Sequence, residues 1–161
     1  MRRLERTIEE IGWSHDVPRL SADEPVSRAF SLMSGERADC VLVLDGEALV
    51  GIFTSRDYLD RVAAIRGNPR ELRMRDVMTP SPRSLRPRDC VAFAVNYMAV
   101  ENYRNVPIVD DDGHPLGVLA IWDVMRHLQE IFDDIEAAPR FVAPIGDESG
   151  VVSMVDLGGD A

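Results

Sequence analysis

A threonine, an arginine and an aspartate stand close together directly after an apolar stretch, and their types and spacing suit them to hold an anion. Thr54, Arg56 and Asp57 follow residues 49–53. Where a strand gives way to a helix, a threonine hydroxyl and the first free backbone N–H groups attract a phosphate, and a guanidinium neutralises its charge. The same Thr-x-x-Asp spacing is also an ordinary helix cap, so a capping interpretation stays open beside the functional one.

A second apolar stretch carries the matching aspartate but lacks the threonine. Asp123 follows residues 116–119, and Ala120 stands where the first stretch has Thr54. Without that hydroxyl we expect Asp123 to have no capping partner, although an aspartate in a first helical turn still gains from the helix dipole. We therefore expect two unequal sites, with the site near Thr54 and Asp57 the better one.

No set of residues in the sequence assembles into a catalytic or metal site. His15 and Asp16 are adjacent, but no nucleophile stands at a motif that would orient such a dyad. Residues 110–113 resemble a calcium loop only faintly, because the alternate spacing and closing glutamate of an EF-hand are missing. Cys40 and Cys90 lack a CxxC spacing, so neither zinc nor a disulfide is indicated. Since no nucleotide-hydrolysing loop is present either, we expect binding without turnover, no enzyme activity, no metal and no required cofactor.

The charge of the chain excludes several classes of partner. Its 161 residues carry 28 acidic and 18 basic side chains, a net charge of −10, and every basic residue is an arginine interleaved with acids. Binding to a polyphosphate backbone draws its affinity from clustered cations, so no nucleic-acid partner is expected. No apolar run approaches the length of a membrane span, and acidic residues interrupt the N-terminus where a secretion signal would be apolar. We expect a soluble cytoplasmic protein with no membrane partner.

The sequence repeats itself, and this repeat governs the predicted fold. A shift of 65 positions aligns residues 20–45 with residues 85–110, and a shift of 66 aligns the residues after one insertion in the acidic turn. The aligned pairs include Leu20 with Leu85, Val26 with Val91, Met33 with Met98, Val41 with Val106, Gly51 with Gly117 and Asp57 with Asp123. Two half-length units are therefore predicted, called repeat 1 and repeat 2 below.

Each repeat is predicted to contain a short amphipathic helix, which in repeat 1 begins at Pro25, then a hairpin of two apolar strands and a second helix. We predict an N-terminal helical lead-in over 1–14, repeat 1 over 15–68, repeat 2 over 69–137 and a C-terminal tail over 138–161. The last helix carries an apolar stripe that must be buried, against its own repeat or against a second copy of the chain. The stripe consists of Ile121, Met125, Leu128, Phe132 and Ile135. We favour a homodimer.

The two repeats strongly resemble CBS domains over about residues 15–135. The resemblance rests on the order and duplication of four strings, which are residues 51–57 (GIFTSRD), 117–123 (GVLAIWD), 76–80 (DVMTP) and 105–109 (NVPIV). It implies an α/β fold of the α+β type, in which two β-α-β-β-α repeats pack as a pseudo-two-fold pair with two clefts between them. In the family those clefts commonly bind adenine nucleotides, and the pairs often dimerise.

The resemblance also implies roles for the candidate site residues. The aspartates would bind ribose hydroxyls, and Thr54 and nearby arginines would hold phosphate. Thr79 and an apolar strand with a free carbonyl edge would border the base. The residues in these ligand-binding roles are Thr54, Arg56, Asp57, Asp123, Arg104, Val106, Pro107 and Thr79. Alternatives stay open, because an arginine after a helix is usually solvated and an apolar strand residue is core by default.

Two functions are compatible with these residues. The first is a regulatory module that senses AMP, ADP or ATP in the cleft between the repeats and transmits the change to an effector protein of unknown identity. The second is a structural dimerisation or docking module whose nucleotide sites are degenerate. Ala120, and Asp39 in the repeat 1 position that matches Arg104, favour the second function.

Overall fold

Helices and strands follow one another in the order that the repeat predicts. The computed structural model describes residues 6–137, and side chains up to residue 133, so the predicted tail over 138–161 lies outside the described residues. In chain order the elements are α1 (Ile8–Ile11), β1 (Arg19–Ser21), α2 (Val26–Glu36), β2 (Cys40–Asp45), β3 (Ala48–Thr54), α3 (Ser55–Tyr58), which continues as a π-helix over Leu59–Ala63, α4 (Met74–Val77), β4 (Thr79–Pro80), α5 (Val91–Val100), β5 (Asn105–Val109), β6 (Pro115–Ala120) and α6 (Ile121–Ala137). The predicted mixed fold is confirmed.

Each repeat builds its sheet from a hairpin. In sheet 1 the strand order is β1-β2-β3-β4, with β1 parallel to β2 and the other neighbours antiparallel. Sheet 2 is the antiparallel pair of β5 and β6, and single bridges extend it at Leu85, beside Ile108, and at Ser14, beside Val118. The first strand of repeat 2 is thus reduced to one bridging residue.

The segments that precede the two repeats are exchanged between them. We call residues 7–14 lead segment 1 and residues 74–80 lead segment 2. Ile8 of lead segment 1 is fully buried in the core of repeat 2, whereas Met74 and Val77 of lead segment 2 are buried in the core of repeat 1. Each lead segment also extends the sheet of the other repeat. The predicted boundaries at residues 14 and 68 divide the chain by sequence order, whereas each lead segment packs on the other repeat. These boundaries stay a prediction.

The two sheets pack against each other through one face of β2. Val41 and Val43 point into the core of repeat 1, while Cys40 and Leu42 contact Val118 of sheet 2, as the two-residue period of a strand requires. Both faces of β2 are therefore covered. Burial raises the pKa of the Cys40 thiol to about 12, and the neighbouring Asp39 charge adds to the effect, so this thiol stays protonated.

Glycines at matching positions let the lead segments approach the sheets. A Cβ atom on Gly51 would overlap the sulfur of Met78, and a Cβ atom on Gly117 would overlap the backbone carbonyl oxygen of Ser14. A glycine in a strand often marks such a close backbone approach. Gly51 is therefore needed to dock lead segment 2, and Gly117 is needed to dock lead segment 1.

The last helix does not bury the whole of its predicted stripe. Val124 and His127 are buried, and Leu128 packs against the core of repeat 2, but Met125 and Phe132 are more than half exposed. The stripe thus has no complete cover among the described residues, and the side chain of Ile135 lies outside them. Between residues 6 and 137 no helix combines the length and the apolar character needed to cross a membrane.

Candidate functional site

In repeat 1 the predicted aspartate is enclosed by its own helix start. Asp57 is 7% exposed. Its Oδ2 accepts hydrogen bonds from the Thr54 backbone N–H at 2.8 Å and from the Thr54 hydroxyl at 2.7 Å, and its own N–H donates to Thr54 Oγ1 at 3.3 Å. This is a complete capping box at the β3–α3 junction. The capping interpretation therefore describes these two residues, and the Thr54 hydroxyl is already engaged.

The second oxygen of Asp57 ties lead segment 2 to repeat 1. Thr79 donates its hydroxyl to Asp57 Oδ1 at 2.9 Å, and Arg61 Nη1 lies 3.3 Å from the same oxygen. The Arg61 guanidinium also donates to the backbone carbonyls of Val77 and Met78. We call Thr54, Asp57, Arg61 and Thr79 the polar latch. Both oxygens of Asp57 thus serve the fold.

In repeat 2 the matching aspartate is more open. Asp123 Oδ2 accepts a hydrogen bond from the Ala120 backbone N–H at 3.0 Å, and Arg126 Nη2 lies 3.2 Å from Oδ1. The prediction that Asp123 lacks a capping partner is wrong, because the cap needs only the backbone N–H of Ala120 and no hydroxyl. The Asp123 side chain is 19% exposed against 10% for Asp57, and no side-chain hydroxyl donates to it within the described residues.

The strand candidates lie on β5 or directly before it, and β5 pairs with the strand that leads to Asp123. Asn105 pairs with Ala120 in sheet 2, and the carbonyl oxygen of Arg104 accepts a hydrogen bond from the Ile121 N–H at 2.8 Å. The Arg104 side chain is exposed at this strand end. An exposed cation and a partly exposed carboxylate thus flank the N-terminus of α6, where the helix dipole favours anions.

Val106 and Pro107 have structural surroundings. Val106 is fully buried in the core of repeat 2, and Pro107 is buried in the register opposite Val118. The expected free carbonyl edge is absent at Pro107, because its carbonyl oxygen accepts the Leu85 N–H at 3.0 Å. The core interpretation therefore applies to both side chains.

The structure divides the eight predicted residues into two groups. Thr54, Arg56, Asp57 and Thr79 gather at the start of α3, where Arg56 is exposed to solvent. Arg104 and Asp123 lie at the start of α6, whereas Val106 and Pro107 lie farther along sheet 2, opposite Leu119 and Val118. Arg61 was missed by sequence reasoning, although its position four residues after Asp57 on a helix is the spacing of an ion pair.

The position of Arg61 is occupied in repeat 2 by a different group. A shift of 66 aligns Arg61 with His127, which is 3% exposed. Neither imidazole nitrogen of His127 has a hydrogen-bond partner within residues 6–137, and the same holds for the indole N–H of Trp13 in lead segment 1. Repeat 2 therefore holds its lead segment without a counterpart of the polar latch.

Other charged groups near the second helix start are occupied. Arg83 lies 3.1 Å from Glu101 and stacks 5.2 Å above the ring centre of Tyr97. Burial and the Glu101 charge raise the pKa of Tyr103. Arg126 is paired with Asp123, whereas for the exposed Arg104 side chain no ion pair is recorded within residues 6–137.

The acidic turn of repeat 2 is closed by its own hydrogen bonds. Asp110 accepts hydrogen bonds from the backbone N–H groups of Asp112 and His114, and these bonds lower the pKa of Asp110. The Asp110 carboxylate in turn raises the pKa of His114, whose Nδ1 lies 3.1 Å away. Asp111 and Asp112 are exposed, as a solvated hairpin turn predicts.

Comparison with known proteins gives matches over most of the chain. The model of the CBS domain family matches residues 10–64 and 74–130. The CBS domain-containing protein CBSCBSPB2 of Arabidopsis thaliana is 30% identical over 108 residues, which cover 67% of this chain and 20% of that protein. This chain thus spans about a fifth of the length of that relative.

Two solved structures share the fold. CBSX2 from Arabidopsis thaliana in complex with AMP has a TM-score of 0.66 at 23% identity, covering 78% of this chain and 98% of that chain. The CBS domain pair of MJ0100, in complex with 5′-methylthioadenosine and S-adenosyl-L-methionine, has a TM-score of 0.67 at 20% identity, covering 76% and 99%. These identities support likeness of fold alone. With two family matches that together cover more than half of its residues, the chain belongs to the CBS domain family.

Proposed function

We propose that this chain is a regulatory ligand-binding module that senses an adenine nucleotide, AMP, ADP or ATP, in a cleft between its repeats. Support comes from its membership in the family and from two neighbours of the same fold, one with AMP and one with adenosine derivatives. The module binds its ligand without turnover and passes the resulting change to an effector protein. No disulfide involves Cys40 or Cys90 within the described residues, in keeping with a reducing cytoplasm.

The single observation that carries the proposal is the partly exposed carboxylate of Asp123 at the start of a long helix, next to the strand end that carries the exposed Arg104. A ribose donates hydrogen bonds from its hydroxyls and needs an accessible carboxylate to accept them. A phosphate needs a cation and free N–H groups. The α6 start offers the partly exposed carboxylate of Asp123 and the exposed Arg104, whereas the N–H groups of Ala120 and Ile121 are already engaged. We therefore propose Asp123 and Arg104 as the primary site, the reverse of the ranking expected from the sequence.

The site around Asp57 takes second place for a physical reason. A ligand there would compete with Thr79 and Arg61 for Asp57 Oδ1 and with Thr54 for Oδ2. Each displaced hydrogen bond to a charged group costs about 1.5–3 kcal/mol. Thr54, Arg56, Asp57 and Thr79 stay predicted ligand residues for a conformation in which lead segment 2 moves away.

A structural dimerisation or docking module is the second candidate function. The observation that favours it is the polar latch, which uses the family's binding aspartate to hold the fold of repeat 1. In that function both clefts are degenerate, and the chain acts through its surfaces. The two candidates share the homodimer as a partner.

Titration calorimetry and thermal denaturation with AMP, ADP, ATP and S-adenosyl-L-methionine test the proposal. We expect one of them to stabilise the wild type by about 2.7 kcal/mol at a hundred times its dissociation constant. Asp123→Asn keeps an oxygen for the Ala120 N–H but loses the ribose acceptor, so it should weaken binding at least tenfold. Arg104→Ala should weaken AMP and ATP more than adenosine.

The matched control is Asp133→Asn, which removes one charge from the exposed face of the same helix. It should bind like the wild type. If no ligand stabilises the wild type, the sensor proposal fails and the docking function takes its place. If Asp57→Asn lowers affinity and Asp123→Asn does not, the first cleft is the primary site.

A further inference from the structure

Repeat 1 has an apolar groove on its helical surface. Two hollows of about 380 Å³ and 260 Å³ adjoin each other there, because both are lined by Phe30 and Tyr58, whose rings lie 5.6 Å apart. We call the two hollows together the repeat 1 groove. Met33 and Leu59 also line it. Phe30 and Leu59 are more than half exposed, so the groove has no complete cover within residues 6–137.

Larger side chains occupy the aligned positions in repeat 2. Ala38 and Ser55 border the repeat 1 groove. By the shifts of 65 and 66 their counterparts are Tyr103 and Ile121, which pack against the core of repeat 2. The groove is therefore a property of repeat 1 and does not follow from the duplicated fold alone.

The segments that build the groove are basic, although the chain as a whole is acidic. Residues 26–38 and 53–70 contain six arginines and three acidic residues, so they carry a net charge of +3 in a chain of −10. Arg70 is the one charged residue that lines the groove, and its guanidinium forms no ion pair with any described residue. An apolar segment with acidic neighbours therefore complements this surface in both polarity and charge.

The chain itself contains a segment of that composition. Residues 147–160 (DESGVVSMVDLGGD) include four acidic residues and no basic residue. We call them the acidic apolar segment, which follows the described residues in the chain. Aliphatic side chains gain free energy when an apolar surface covers them, and carboxylates are attracted to guanidinium groups. The aliphatic side chains of the segment are Val151, Val152, Met154, Val155 and Leu157.

We infer that the acidic apolar segment docks in the repeat 1 groove of its own chain. The 13 residues between Ala137 and Val151 span about 45 Å when extended, about three times the radius of gyration of a domain of this size, so the groove is within reach. A tether of this length also gives a high effective concentration, which favours the segment of the same chain over a separate protein. A protein that binds the groove must first displace the segment. The inference does not rest on nucleotide sensing, since neither Asp57 nor Asp123 lines the groove.

Photo-cross-linking in the full chain tests the docking. The photoreactive residue p-benzoylphenylalanine is placed at Met154, and the cross-linked peptides are identified by mass spectrometry. We expect cross-links within one chain to residues 26–38 and 53–70. The same group at Val142, outside the segment, is the control and should give no cross-link to those residues. If position 154 gives no cross-link to them, or cross-links only to a second copy of the chain, the inference is overturned.

Two variants of repeat 1 show whether apolar contact holds the segment. Leu59→Asp places a carboxylate in the groove, whereas Ile65→Asp makes the same change outside it at a similar exposure, 65% against 62%. In the chain with the photoreactive group at position 154, Leu59→Asp should lower the cross-link yield about tenfold, and Ile65→Asp should leave it unchanged. Equal yields from the two variants would show that the segment is not held in the groove.

Hydrogen exchange of the full chain measures the docking without a cross-linker. Met154→Asp should make the backbone amides of residues 55–63 exchange about fivefold faster than in the wild type, because the uncovered helix opens more often. Val142→Asp is the control and should exchange like the wild type. Met154→Asp should keep the nucleotide affinity of the wild type, so failure of sensing and failure of docking are seen separately. Exchange that Met154→Asp leaves unchanged contradicts the docking.

Discussion

The two repeats hold their exchanged lead segments by different physical means. In repeat 1 the polar latch binds lead segment 2 through Thr79 and Arg61, in addition to the strand pairing. In repeat 2 lead segment 1 is held by burial of Ile8 and by backbone hydrogen bonds, two between Ser14 and Val118 and two from its first helix to the carbonyls of Pro87 and Asp89. Ser14 stands in the aligned position of Thr79 but does not contact Asp123 through its hydroxyl in the described hydrogen bonds.

Aligned aspartates in two repeats of one chain are thus engaged to different extents by the fold itself. An aspartate whose oxygens are fully used by its own fold has little left for a ligand. Where packing holds the lead segment, as in repeat 2, the matching aspartate keeps part of its hydrogen-bonding capacity. Substitutions at aligned positions test this difference between the repeats, since each repeat provides the control for the other.

The largest effect is expected at the two aspartates. Asp57→Ala leaves the Thr54 and Thr79 hydroxyls and the Arg61 guanidinium without their acceptor, so it should lower the free energy of unfolding by about 3 kcal/mol. Asp123→Ala removes one cap and should lower it by about 1 kcal/mol. Urea denaturation followed by circular dichroism measures both. Equal losses would mean that the polar latch contributes no more than an ordinary cap.

A smaller difference is expected at the two glycines. Gly117→Ala pushes against the Ser14 carbonyl oxygen, which is fixed by its hydrogen bond to Val118, and should cost about 2–3 kcal/mol. Gly51→Ala meets the flexible side chain of Met78 and should cost about 1 kcal/mol. Thermal denaturation of the two variants compares them. A larger loss for Gly51→Ala would show that lead segment 2 is the more rigidly docked.

The smallest effect is expected where Arg61 aligns with His127. His127→Leu replaces a buried imidazole that has no hydrogen-bond partner within residues 6–137, so stability should stay the same or rise by up to about 1 kcal/mol. Arg61→Leu removes three contacts to lead segment 2 and Asp57, and should lower stability by about 1 kcal/mol. Differential scanning calorimetry resolves the opposite signs. Destabilisation by His127→Leu would show that the imidazole contributes a stabilising contact, such as the one to Glu130 Oε2 at 3.8 Å.

The parts of the fold that depend on local sequence were predictable. The hairpins follow from apolar runs joined by turn residues, and α2 follows from Pro25 and the helical spacing behind it. The exchange of lead segments was not predictable in this way, because periodicity shows that Ile8 or Met74 is buried but not against which sheet. That choice is made by tertiary packing at Gly51 and Gly117.

The candidate site was predictable only in its residue types. The Thr54 and Asp57 spacing correctly marks a helix start, but the sequence does not show that Thr79 reaches the same carboxylate across 22 positions. The cap at Asp123 was not predicted because its donor is the backbone N–H of Ala120 and not a side-chain hydroxyl. In both cases the hydrogen-bond donor to the aspartate, the Thr79 hydroxyl or the Ala120 backbone N–H, cannot be identified from the residue types alone.

The exchange of lead segments also sets an order in time as the chain is made. Lead segment 2 pairs with β3, which lies fewer than 30 positions before it, so the ribosome releases both partners of repeat 1 almost together. Lead segment 1 is synthesised first, yet its partner Val118 follows more than 100 positions later, and closing so long a loop costs more entropy. The docked form of repeat 2, which contains Asp123, is therefore the last to assemble, and a truncated chain that already contains a complete repeat 1 lacks it.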